Sequence, residues 1–124
     1  MLDPWDALPG EIGFERGQQI AHALAAAGHE IVWWQTSFAH AEKKTRVTDE
    51  CRDLLGPGRQ IVLLPARPYT SNVSAKRMLS IADYVWEFAR QSRHWPKPDA
   101  ILVCGPIFFS EPVLLYLRLV KHIP

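Results

Sequence analysis

The apolar positions change period along the chain, and each change predicts an element. From Phe14 to Ala27 the residues Phe14, Gly17, Ile20/Ala21, Leu24 and Ala27 recur at helical spacing. The alanine-rich filling favours helix, and Gly28 stands where a left-handed C′ residue belongs. Gly17, Ala21 and Ala25 are small enough to let this helix lie close against a sheet. Over Glu30–Trp34 the period is lost in the run Ile31-Val32-Trp33-Trp34, the pattern of a strand covered on both faces. Gln60–Leu64, stopped by Pro65, and Ala100–Cys104 predict two more strands. A long helix is predicted over Asn72–Arg93, with Met78, Ile81/Ala82, Val85 and Phe88/Ala89 on one stripe and Asn72 or Ser71 as its cap. A short helix from Thr48 to Leu55 ends at Gly56-Pro57-Gly58, and a last one is expected near Glu111–Lys121.

Strands that alternate with helices predict an α/β fold, a Rossmann-like parallel sheet with helices on both faces. One domain spans residues 1–124. The turn-rich segment Met1–Gly13 reads as loop, so only Met1-Leu2 remain for a strand before the first helix. The chain also stops at His122-Ile123-Pro124, where a further strand is expected. The domain therefore reads as truncated at both ends.

Composition narrows the function classes. The 48% apolar and 22% charged residues are those of an ordinary globular domain. A net charge of +1 gives no bulk electrostatic reason to expect nucleic acid. No apolar run reaches membrane-span length and no signal peptide opens the chain, so a cytoplasmic protein is expected. Cys51 and Cys104 are far apart, without ligand spacing; they read as small thiols, and no metal is expected.

In such sheets ligands gather beyond the carboxyl ends of the strands, and three polar loops fit that place. The first, Pro9–Arg16, holds Gly10, Glu11, Gly13 and Arg16; a turn-rich loop entering a helix offers free N–H groups to an anion, and Arg16 either forks onto a phosphate or is solvated. The second, Ser37–Arg46, holds His40, Lys43, Lys44 and Arg46, a group suited to polyanionic or hydroxyl-rich ligands or else a solvated basic loop. The third, Arg67–Arg77, holds Tyr69, Asn72 and Arg77. His22 lies on the first helix, His29 just after its C-terminus, and His94 and His122 near chain or helix ends, while Trp33 and Trp34 read as core. Ser37 and His40 lack a nearby acid, so no hydrolase triad is supported.

The run DPWDALPGEIGFERGQQIAHALAAAGHEIVWWQTSFAHAEKKTR resembles the amino-terminal start of family 4-like glycosyltransferases of the GT-B fold. The resemblance continues through RPYTSNVSAKRMLSIADYVWEFAR and PDAILVCGPIFFSEPVLLYLRLVKHIP, essentially the whole chain. It implies two facing Rossmann-like domains, the first receiving an acceptor and the second binding a nucleotide-sugar. The implied reaction is retaining transfer to a glycan or lipid-linked acceptor, as in polysaccharide biosynthesis, with no cofactor beyond the nucleotide-sugar donor. Gly10, Glu11, Gly13 and Arg16 would then line the cleft near the donor diphosphate or the acceptor. His40, Lys43, Lys44, Arg46, Tyr69, Asn72 and Arg77 would face the acceptor. The donor-binding domain, with its Arg/Lys and paired glutamates, is missing from this chain, so either the chain is a fragment of a longer enzyme or a second polypeptide supplies the donor half. A lipid-linked acceptor would place the protein peripherally at the inner face of a membrane. A sugar- or phosphate-binding module without catalysis is the alternative, and the sugar, base, acceptor and linkage are not specified.

Overall fold

The computed structural model describes residues 1–46, 58–105 and 107–120, for residues 107–110 the backbone alone. In chain order these form α1 (Arg16–Ala26), β1 (Ile31–Thr36), β2 (Phe38–Ala39), β3 (Lys44–Thr45), β4 (Arg59–Leu64), α2 (Ala75–Gln91) and α3 (Ile107–Leu119). A 3₁₀ turn, Ser92–His94, follows α2. The short helix expected from Thr48 falls outside the described residues, as does Cys51.

The fold is mixed α/β around a small parallel sheet. β1 and β4 pair in parallel from Ile31↔Arg59 to Thr36↔Leu64. On the other side of β1, Leu2 makes isolated parallel bridges to both Trp34 and Val103. Trp34 N–H donates to Met1 O at 2.9 Å, Leu2 N–H to Leu102 O at 2.8 Å and Cys104 N–H to Leu2 O at 2.8 Å. The backbone around Leu2 therefore stands between β1 and residues 101–104. The expected strand Ala100–Cys104 is reduced to this bridge.

Strand alternation divides the tryptophans between two cores. Trp33 packs with Leu8 and Ile61 on the face covered by α1. Trp34 packs with Leu2, Leu64, Ile81, Tyr84, Phe88, Val113 and Leu117 on the face covered by α2 and α3. There it meets Phe88 edge-on, ring centroids 5.3 Å apart at 84°. The Tyr84 hydroxyl is buried but satisfied, donating to Trp34 O at 2.8 Å.

The elements depart from the sequence expectation mainly at their ends. α1 begins at Arg16, not Phe14, and Phe14 is exposed. Its N-cap Glu15 makes no side-chain cap; Asp6 reaches in from outside and accepts from Gly17 N–H at 2.6 Å. Gly28 takes φ +88° as expected. α2 starts at Ala75 because Ser74, rather than Asn72 or Ser71, caps it by accepting from Arg77 N–H at 3.2 Å. Its buried residues are Ser80, Ile81, Tyr84 and Phe88, while Met78 faces solvent. α3 begins at Ile107 and carries Pro112 inside it. The segment read as loop after β1 contains an antiparallel ribbon, β2–β3, closed by Lys43 at φ +55°. Phe38 and Ala39 anchor it in the interior. Among the described residues no helix is long and apolar enough to cross a membrane.

Candidate functional site

The carboxyl ends of the parallel segments open onto a cleft of about 630 Å³. Asp3 and Asp6 follow the Leu2 segment to one end of it, joined by Arg16 from the start of α1 and by Cys104. His40, on the ribbon, and Arg77, in the first turn of α2, supply basic lining. Trp5, Phe14 and Ile20 add apolar wall. A separate space among Trp5, Tyr69 and Tyr84 measures only about 10 Å³, room for water at most.

The acidic group is unusual in its burial. Asp3 is 2% exposed, and its Oδ2 has no hydrogen-bond partner. Burial, followed by the neighbouring Asp6 charge, raises its carboxyl to about pKa 6. Asp6 uses Oδ2 on Gly17 N–H, while Oδ1 lies 3.9 Å from Arg16 Nη2. A carboxylate of the protein itself thus occupies the start of α1, where the sequence offered free N–H groups to an external anion.

The basic group is knitted together. The indole of Trp5 hydrogen-bonds the Tyr69 hydroxyl, which donates to His40 Nδ1 at 2.5 Å. Lys43 Nζ, a donor only, lies 3.4 Å from the same nitrogen, so the ring proton belongs on Nε2. Lys43 also donates to Asn72 Oδ1 at 2.6 Å and stands over the Tyr69 ring. Arg77 Nη1 donates to Asn72 O at 2.7 Å. Burial and the charges of Lys43 and Arg77 hold the His40 imidazole below its ordinary value; burial and Arg77 likewise lower the Lys43 ammonium. Among the described residues no carboxylate lies within ion-pair distance of Lys43 or Arg77.

Of the residues expected at a site, the structure brings together Arg16, His40 and Arg77 at the cleft, with Lys43, Tyr69 and Asn72 bonded around them. Glu11 and Arg46 instead bind each other. Arg46 Nε and Nη2 donate to the two Glu11 carboxylate oxygens at 2.8 and 2.7 Å. Its remaining N–H groups reach Gln35 Oε1, Thr36 O and Asp6 O at 3.0, 2.8 and 3.1 Å. Burial would raise the Glu11 carboxyl, but Arg46 and the Leu8 N–H hold it below the usual range. Lys44 pairs with Glu42, and Gly10 and Gly13 shape the loop at φ +86° and +150°. None of these five lines the cleft. Sequence reasoning missed Asp3, Trp5 and Asp6; the signal was available in Asp3-Pro4-Trp5-Asp6, which directly follows the remnant of a strand.

The arrangement sets cations and a neutral imidazole N–H, suited to an anion, in one cleft with carboxylates suited to hydroxyl donors. Among the described residues no cluster of His, Cys, Asp and Glu is placed to hold a metal ion. Compared with models of known protein families, with curated proteins and with solved structures, the chain matches none.

Proposed function

We propose that this chain is the acceptor-side part of a retaining glycosyltransferase, moving a sugar from a nucleotide-sugar to a glycan or lipid-linked acceptor. It does so together with a donor-binding domain and is inactive without it. The observation that carries this reading is the convergence of Arg16, His40 and Arg77 on one cleft at the carboxyl ends of the parallel segments. The spatial order of those segments, β4, β1, the Leu2 segment and 101–104, supports a Rossmann-like domain, as do helices on both faces. The resemblance of the sequence to family 4-like transferases supplies the reaction class. The role of this half is to bind and orient the acceptor while the partner half stabilises the departing nucleotide. A lipid-linked acceptor implies peripheral membrane association at the cytoplasmic face.

Titration of the ¹⁵N-labelled chain tests the reading. Farnesyl phosphate, a lipid-phosphate mimic, is expected to shift the amides of Asp6, Arg16, His40 and Arg77, and to do so at lower concentration than UDP- and GDP-sugars. Shifts from the nucleotide-sugars alone would overturn the acceptor-side assignment. Ligand binding without turnover after a donor-domain polypeptide is added would favour the non-catalytic sugar- or phosphate-binding module.

A further inference from the structure

We propose that the cleft accepts its ligand in one orientation, with a phosphate group at Arg77 and the Nε2–H of His40, beside the neighbouring Lys43 charge, and the hydroxyls of a sugar or polyol at Asp3 and Asp6. The sugar phosphate class rests on the functional reading above; the polarity rests on the geometry.

Three observations place the phosphate. Lys43 and Arg77 converge on the two ends of Asn72, side-chain oxygen and carbonyl, without a carboxylate to balance them among the described residues. Arg77 stands in the first turn of α2, where the helix dipole is adverse to a cation, and that turn holds no acidic residue. Its Nε is buried without a hydrogen-bond partner. An anion at this point would balance the two cations and offset the adverse dipole. The bond from Tyr69 to Nδ1 leaves His40 its Nε2–H as a fixed donor.

The carboxylates decide which way round the ligand lies. Asp3 and Asp6 together outweigh the neighbouring Arg16 cation, so this end repels a phosphate by net like charge and accepts hydrogen bonds from hydroxyls. Asp3, 2% exposed at the cleft wall, has an unpartnered Oδ2 that calls for a donor. The same cleft therefore attracts one end of a sugar phosphate and rejects it when reversed.

Calorimetry on the full chain separates the two ends, with inorganic pyrophosphate and glucose 1-phosphate as probes. R77Q is expected to weaken both by about tenfold, the effect of one charge-assisted hydrogen bond. R77K keeps the charge but not the fork and should fall between. D3N is expected to weaken glucose 1-phosphate by about threefold while pyrophosphate binds as well or better. Wild-type-like pyrophosphate binding by folded R77Q, or equal losses of both probes in D3N, would overturn the proposal; amide spectra establish that each variant folds. Phosphatidylcholine vesicles with and without phosphatidic acid identify the source of the phosphate. Retention only with phosphatidic acid assigns a lipid headgroup, binding of the soluble probes alone assigns a free phosphate ester, and failure of both overturns the site. No transfer is involved, so absence of glycosyltransferase activity leaves this test intact. Conversely, its failure removes the orientation but leaves an uncharged acceptor open to the functional reading.

Discussion

Arg46 directs all five of its N–H donors at protein oxygens and ties the Glu11 loop to the end of β1. Its side chain is 2% exposed, so its removal leaves Glu11 a poorly solvated charge. R46M is expected to lower unfolding free energy by about 3–5 kcal/mol, and R46M/E11Q to recover part of that, measured by urea denaturation. Lysine cannot reproduce the fork, so R46K should also destabilise. The Glu11 carboxyl is held low, so its contribution is present above the ordinary value of 4.5 and is lost as pH falls through the folded value. Asp3 has the opposite sign. Raised from 3.8 to about 6, it leaves the fold unpenalised below pH 4 and costs stability as pH rises through 6. D3N should therefore be more stable than wild type by about 1–3 kcal/mol at pH 7, with the gain vanishing towards pH 4. A pH-independent difference between the two urea curves would refute that assignment.

At the scale of elements, α1 depends on close approach. A Cβ on Gly17 would lie 2.7 Å from Trp33 Cζ2 and 3.1 Å from Asp6 Oδ2. The indole is fully buried and has nowhere to retreat, so G17A should cost about 1–3 kcal/mol despite alanine's better helix propensity. A thermal melt no lower than wild type would show that the helix slides freely. S74A should cost α2 about 1 kcal/mol through loss of its cap. The small-residue face of α1 was legible in sequence because spacing and side-chain volume both mark it. The start of α1 was not, because its capping oxygen comes from Asp6, eleven residues from Gly17. The β2–β3 ribbon was equally hidden, since two-residue strands have no periodicity to read.

Across the whole molecule the least conspicuous segment is central. Leu2 bridges two neighbours and is itself 1% exposed, so the Leu2, Trp34 and Cys104 amides should be among the slowest to exchange. Rapid deuterium uptake there would mean that the segment is not seated between β1 and residues 101–104. Pyrophosphate affinity should fall as salt rises from low ionic strength, because the basic cluster is partly exposed and screening reaches it.

The sequence by itself determined the alternation of strands and helices, the burial of both tryptophans and the left-handed Gly28. Each is written in local period, propensity or backbone freedom, which neighbouring residues settle among themselves. Only the tertiary structure decided which charged residues face a ligand. Arg46 and Lys43 read alike along the chain, yet one is consumed by Glu11 while the other is left without a carboxylate among the described residues. That difference depends on partners distant in sequence, because charge is compensated through space: Glu11 stands 35 residues from Arg46, and Asn72 stands 29 from Lys43.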